Sequence, residues 1–156
     1  MASARAGTES VLAVVGFGAA AAALDAGLAA QGAIAARRDR LERALLRVEG
    51  VSVSGPLSER VATVSHVAAR GCDGAELVAA FDLEGVALSS RAACSSGRSE
   101  PSESLLRLFP EEPWRATSSL RVSLSREVTD DEVSRFEALC GAVIARVRGA
   151  HSKTKR

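Results

Sequence analysis

The fold is decided by residues 118–147, SSLRVSLSREVTDDEVSRFEALCGAVIARV, in which two apolar spacings follow one another. From Ser118 to Leu124 apolar and polar residues alternate, as in a strand with one buried face. Beyond Thr129 the apolar residues recur every three or four positions as far as Val147, which indicates an amphipathic helix. Glu132 follows Thr129 at capping-box spacing, so the helix is expected to begin there.

The rest of the chain supplies further helices and short strands. A proline-free, alanine-rich stretch from Ser10 to Val48 predicts a long helix, broken near Gly27 or Gly32, with a first half buried all round and an amphipathic second half. Strands are predicted at 51–54, 61–68 and 86–88, and helices at 75–83 and 102–109. The expected fold is an α/β domain over residues 1–148, a small mixed or antiparallel sheet flanked by helices, followed by a disordered basic tail at 149–156.

The net charge, the cysteine spacing and the apolar N-terminal run each argue against certain classes of protein. The chain has 156 residues and a formal charge of +1, so no large field attracts nucleic acid or an anionic membrane. Its three cysteines, Cys72, Cys94 and Cys140, are widely spaced, which fits neither a disulfide framework nor a metal site and favours reduced thiols in a cytoplasm. The apolar run from Val11 to Leu24 could pass for a secretory signal, but it is too short to span a bilayer and a buried helix is the simpler interpretation.

The densest chemical cluster is SSRAACSSGRSEP at residues 89–101. It places Cys94 among small residues between a predicted strand and a predicted helix, with Arg91 and Arg98 near enough in sequence to favour a thiolate. A reactive thiolate is a nucleophile. The residues alone leave an ordinary structural thiol open as the alternative.

The wider pattern resembles a known family. The motif Ser-Ser-x-x-Ala-Cys-Ser-Ser-Gly at 89–97, Glu-Pro-Ser at 100–102 and the strand SLRVSL at 119–124 resemble, in this order, the C-terminal third of cysteine desulfurases, which have the class V aminotransferase fold. Further similar segments are AGTES at 6–10, TVS at 63–65, GAEL at 74–77 and LEGVALSS at 83–90. The resemblance covers residues 5–148 and implies the small domain of a pyridoxal-phosphate-dependent enzyme.

The resemblance also implies roles for three residues. Cys94 would be the thiolate that takes sulfur from L-cysteine, leaving alanine and an enzyme persulfide for iron-sulfur cluster or thio-cofactor assembly. Arg121 would hold the α-carboxylate of the substrate, although without the resemblance it would be taken as a surface ion pair. Thr8 would reach the cofactor phosphate of a neighbouring subunit, which implies a dimer, and it could also cap a helix. A sulfur acceptor or iron-sulfur scaffold protein would be the partner.

The chain departs from the family in one decisive respect. Its only lysines are Lys153 and Lys155, whereas the lysine that holds the cofactor lies upstream of every motif quoted above. The expectation is therefore a desulfurase part that works only with a large-domain chain or an upstream segment. The alternative is a cofactor-free persulfide carrier or regulatory partner of a full-length desulfurase.

Two other interpretations receive no support from the sequence. A phosphatase or rhodanese loop requires an arginine five or six residues after the cysteine, where Ser99 and Glu100 stand.

The sequence assigns no chemical task to His66, Cys72 and Cys140, which we interpret as ordinary structural residues.

Overall fold

A computed structural model describes residues 7–56, 58–90 and 101–154 of the chain. In these ranges the elements are helices α1 (Val11–Ala22), α2 (Leu24–Ala29) and α3 (Gln31–Leu46), strands β1 (Val51–Val53) and β2 (Val64–Ala69), helices α4 (Gly74–Asp82) and α5 (Glu103–Leu108), a 3₁₀ helix (Pro113–Ala116), strand β3 (Ser119–Ser123) and helix α6 (Asp130–Thr154). The α/β fold expected from the sequence is confirmed.

The three strands form one antiparallel sheet in the order β1-β2-β3. Because side chains alternate along a strand, the inward face is apolar, with Val67 and Leu120 buried on it. Helices α3, α4 and α6 cover this inward face, and the rings of Phe81 and Phe136 stack there with centroids 5.6 Å apart. The other face carries the polar positions of the strands and is called the outer face below.

Helix α6 begins as its capping pattern predicts. The backbone N–H of Glu132 donates to the Thr129 hydroxyl (3.2 Å), and the Thr129 N–H donates back to the Glu132 carboxylate (2.7 Å). The helix then continues past Arg148, where the sequence pattern ends the fold, as far as Thr154. His151 lies 3.3 Å from the Glu76 carboxylate of α4. The sequence, which predicts a disordered tail here, gives no indication of this contact.

The N-terminal helical stretch differs from the prediction in its burial. The predicted complete burial of its first half is wrong, because every residue of α1 is exposed, including Phe17 at 78%. The breaks fall at Ala23 and Ala30. Helix α3 is amphipathic as expected and packs on α6, so it supplies the contact with the core that α1 lacks.

No single helix within the described ranges has both the length and the apolar character needed to cross a membrane. Helix α1 passes such a test only jointly with the helical stretch Leu24–Leu46, from which it is bent by 43°.

The predicted strand at 86–88 is also absent. Gly85 adopts a φ of 72°, and the Val86 N–H then donates to the Phe81 carbonyl (3.0 Å), which holds this segment to the end of α4 and away from β3. Pairing with β3 starts only at Ser89, which forms a bridge with Arg121. A cavity of about 370 Å³ lies between residues 85–88, the end of β3 and the start of α6.

Candidate functional site

Arg121 stands in the middle of β3, with a polar neighbour on each side. Across β2 it is directly opposite His66, and on its free side it pairs with Ser89. The Arg121 N–H donates to the Ser89 carbonyl (2.6 Å), and the Ser89 N–H donates to the Arg121 carbonyl (3.2 Å). On the far side of β2, the Ser54 N–H donates to the His66 carbonyl (2.7 Å). Because directly opposed residues share a face, Ser54, His66, Arg121 and Ser89 form one row across the outer face, here called the transverse row.

The Arg121 guanidinium is exposed and its charge is not neutralised by a carboxylate in the described part of the chain. Its side-chain hydrogen bond within the described chain is donated to the Ser89 hydroxyl (3.3 Å). By contrast, Arg40 contacts both Asp130 and Glu137, and Arg115 contacts Glu112. A planar guanidinium with free donors is suited to bind a carboxylate through two parallel hydrogen bonds.

The other members of the transverse row adjoin this charge. Burial, and secondarily the positive charge of Arg121, lower the pKa of His66 below its ordinary value of 6.5. The Ser54 hydroxyl oxygen is buried and makes no hydrogen bond within the described residues. Polar atoms of this kind normally have a partner in a complete structure.

Cys94 lies outside the described residues, so its predicted role stays a prediction. The described chain nevertheless fixes the residues on either side of segment 91–100. Ser89 is held by Arg121, and Ser102 donates its N–H to the Ala116 carbonyl (3.0 Å). Both ends of the segment are therefore attached to the stretch formed by the 3₁₀ helix and β3.

The α5 and 3₁₀ unit is fixed by a buried arginine. The Arg115 guanidinium donates to the Glu112 carboxylate (2.7 Å) and lies 4.5 Å from the Phe109 ring centroid. It also donates to the Val53 carbonyl (3.5 Å), which ties the unit to β1. The attachment point at Ala116 therefore directly follows a residue that is bonded to β1.

The structure does not bring Thr8 to the transverse row. Thr8 is exposed, precedes α1, and forms no hydrogen bond or ion pair with another described residue. Its alternative role as the cap of this helix is wrong, since Ser10 is the N-cap and its hydroxyl accepts from the Ala13 N–H (3.4 Å). The predicted contact of Thr8 with a cofactor phosphate is untested.

The remaining cysteines are core residues, as the sequence indicates. Cys72 and Cys140 are buried, and burial raises the pKa of both thiols. Among the described residues, His, Cys, Asp and Glu form no cluster of three that would hold a metal ion.

The described residues do not by themselves fit pyridoxal phosphate. A pyridoxal-phosphate enzyme holds its cofactor through a lysine Schiff base. Lys153 is the one lysine in the described ranges, and it lies in the last turn of α6. No residue of the transverse row can replace it, so no chemical step on the cofactor is assigned to this chain.

A three-stranded antiparallel sheet backed by helices, with an arginine on its edge strand, defines a small α/β domain. The chain belongs to the class-V aminotransferase family, which matches residues 2–136. The curated relatives that it matches are cysteine desulfurases: it is 35% identical to that of Bradyrhizobium diazoefficiens over 97% of this chain and 39% of the relative, and 32% identical to cysteine desulfurase NifS of Azotobacter vinelandii over 92% and 36%.

Solved structures support the same fold. A NifS-like protein matches with a TM-score of 0.73 and 20% identity, over 91% of this chain and 36% of its own. A NifS-like protein from Rickettsia africae matches with a TM-score of 0.72 and 24% identity, over 90% and 36%. The chain thus spans between 36 and 39% of the length of these relatives. The family resemblance seen in the sequence is confirmed.

Sequence reasoning found Arg121 but missed its neighbours in the transverse row. The sequence assigns His66 to a strand without a chemical task, Ser54 to the end of the predicted strand 51–54, and Ser89 to the start of the serine-rich cluster 89–101. Residues 61–68 do not alternate between apolar and polar, since the positions that share a face with His66 are Ala62, Val64 and Ala68. Only the strand register shows that His66 is opposite Arg121.

Proposed function

We propose that this chain is the C-terminal part of a cysteine desulfurase-like enzyme, in which Cys94 accepts sulfur and Arg121 binds the α-carboxylate of L-cysteine. The observation that carries the proposal is the position of Arg121, an exposed guanidinium without a carboxylate partner in the described chain, bridged to Ser89. Ser90, the next described residue, precedes Cys94 by four residues, and four residues of extended chain span at most about 14 Å. The covalent chain therefore permits the two groups to serve one substrate.

The proposed reaction transfers one sulfur atom. The Cys94 thiolate attacks the sulfur of L-cysteine, so that an S–S bond forms while the C–S bond of the substrate breaks. The electron pair of the broken bond stays on carbon, which takes up a proton and becomes the methyl group of alanine. Pyridoxal phosphate, when bound to the large domain of a complete enzyme, supplies the electron sink that makes this carbon a leaving group. Arg121 holds the carboxylate, because its fork-shaped donors match both oxygens.

Helix α1 supports the need for a large-domain partner. A helix that is apolar on all sides is normally buried, whereas the apolar residues of α1, with Leu12 at 87% exposure and Phe17 at 78%, all face solvent. A large-domain chain, or a large domain in the same polypeptide, would cover this surface and supply the cofactor lysine. A second subunit completing the site through Thr8 and a cytoplasmic location belong to the same proposal.

The test is a reconstitution. The chain is mixed with the large domain of a related cysteine desulfurase loaded with pyridoxal phosphate, and alanine release from L-cysteine is measured together with the mass of Cys94. Activity only in the mixture, lost in Cys94→Ser and strongly reduced in Arg121→Gln, is the expected result. Cys140→Ser is the matched control for cysteine replacement, because that thiol is buried in the core.

Two other results would redirect the proposal. Unchanged activity in Cys94→Ser would remove the role of that thiol. A gain of one sulfur atom on Cys94 from a persulfidated donor, without any large domain and without alanine formation, would favour the cofactor-free carrier. An iron-sulfur scaffold protein is the natural acceptor to offer in either arrangement.

A further inference from the structure

We infer that His66 is a second binding residue of the substrate carboxylate site and sets its specificity, with the transverse row as the surface on which an amino-acid carboxylate lies. The inference deepens the proposed role of Arg121 and rests on it. His66 has no role in the proposed sulfur transfer itself.

The register fixes the relation between the two side chains. The N–H and C=O of Arg121 are used on the Ser89 side, so Arg121 and His66 form a non-hydrogen-bonded pair. In such pairs the Cα atoms are about 4.5 Å apart and the side chains are closest. A carboxylate that binds the exposed Arg121 guanidinium on the outer face therefore comes within reach of the imidazole beside it.

The row also contains an unused donor. Ser54, the residue after β1, is opposite His66, and its hydroxyl is buried without a hydrogen-bond partner within the described residues. It can donate to an imidazole nitrogen or to a bound oxygen, whereas the Ser89 hydroxyl at the other end already accepts from Arg121. The transverse row thus offers three donor side chains to the carboxylate, those of Arg121, His66 and Ser54.

The charges around His66 determine how binding depends on pH. Among the described residues, the groups that face His66 are Ser54, which follows β1, Arg121 of β3 and Ser89 beyond it, and of these only Arg121 is charged. In the free protein, burial and this positive charge disfavour the imidazolium form. A bound carboxylate neutralises the guanidinium, so His66 takes up a proton more readily when the site is filled. By linkage, the affinity for the carboxylate must rise as the pH falls through the titration of His66.

The experiment uses the complete chain and L-alanine, which carries the carboxylate and the α-amino group but no sulfur. L-alaninamide, which lacks the carboxylate, is the control ligand. The chain has only two histidines, so NMR distinguishes the His66 imidazole resonances from those of His151. His151, which contacts Glu76 in another part of the domain, is the internal reference.

The expected result has three parts. Saturating L-alanine raises the pKa of His66 and leaves the imidazole resonances of His151 in place at each pH, while L-alaninamide leaves His66 unchanged. Binding of L-alanine strengthens up to about tenfold between pH 7.5 and 5.5, the factor that corresponds to one unit of pKa change. His66→Gln retains a donor but abolishes the pH dependence, and His66→Phe weakens binding at both pH values.

Failure of the inference can be distinguished from failure of the proposed function. If L-alanine binds and Arg121→Gln abolishes binding, but His66 titrates identically with and without ligand, the inference is wrong and the role of Arg121 stands. If no saturable binding occurs, or Arg121→Gln leaves it intact, both the inference and the assignment of Arg121 are overturned.

Discussion

Replacement of Glu42 by glutamine tests whether a buried ion pair joins the sheet to α3. The Glu42 side chain is 5% exposed, and its carboxylate accepts from both terminal nitrogens of Arg60 (2.5 and 2.6 Å) and from the Ser65 hydroxyl (2.6 Å). Glu42→Gln keeps the shape but removes the charge that compensates Arg60. The pair connects α3, the segment before β2, and β2 itself.

The size of the effect follows from the burial of the two partners. Removal of one partner from a fully buried pair costs about 3–5 kcal/mol. Arg60 keeps 17% side-chain exposure and a second carboxylate, Asp39, at 3.4 Å, so the expected loss of unfolding free energy is lower, about 2–3 kcal/mol. With a urea m-value of about 2 kcal/mol/M for a domain of this size, the unfolding midpoint falls by about 1–1.5 M.

Urea unfolding of the complete chain, followed by circular dichroism and by fluorescence of the single tryptophan, Trp114, gives the measurement. Glu103→Gln is the matched control, because Glu103 and Arg107 form an exposed pair on α5 and no measurable change is expected there. The double variant Glu42→Leu/Arg60→Met should recover most of the loss, since neither charge is then left unpaired. A midpoint unchanged in Glu42→Gln would refute the reasoning, because it would mean that water already screens the pair.

Three further predictions concern the packing, pH dependence and surface of the domain. Gly74→Ala would place a methyl carbon 2.6 Å from the Ser119 carbonyl oxygen and should lower the unfolding free energy by about 1–3 kcal/mol in the same urea assay. Gly141→Ala is the matched control, because its nearest contact is at 3.7 Å and the better helix propensity of alanine should raise the unfolding free energy by up to about 1 kcal/mol. Hydrogen bonds from the Thr129 backbone and hydroxyl hold the pKa of Glu132 below its ordinary value of 4.5. The stability that the ionised carboxylate contributes is therefore present above pH 4.5 and is lost as the pH falls through the lowered pKa. Glu132→Gln should flatten this decline of the thermal midpoint at acid pH, and an unchanged decline would contradict the assignment of Glu132 to the helix cap. Phe17→Glu, at a position 78% exposed, should leave the urea midpoint of the isolated chain unchanged but weaken its association with a large domain in sedimentation, and equal association of variant and parent would exclude α1 from that interface.

The fold could be predicted from the sequence wherever a local pattern has one physical solution. The capping pair Thr129 and Glu132, and the apolar spacing that follows, fix the start and the buried face of α6 because both act within the helix itself. The alternation of 118–124 likewise fixes β3 and places Arg121 on its polar face. The family resemblance added the expectation of a carboxylate-binding role that alternation alone could not supply.

Predictions were wrong where the deciding contact is distant in sequence. The apolar composition of α1 indicates burial, but burial requires a covering surface, and the elements of this chain cover α3 instead. The residues 86–88 have strand-like composition, yet the hydrogen bond from Val86 to Phe81 draws them toward α4. Local propensity cannot anticipate either outcome, because each depends on which partner surface is present.

The sequence by itself therefore determined most of the helices and strands, the buried and exposed faces of β3 and α6, and the candidate residues Cys94, Arg121 and Thr8. Only the tertiary structure decided that Arg121 lacks a carboxylate neighbour in the described chain, that His66 is beside it, and that Ser54 lies on the other side of His66. The physical reason is the range of the interactions involved. Alternation and capping act over a few consecutive residues, whereas the transverse row exists only when strands separated by long stretches of chain pair in one particular register.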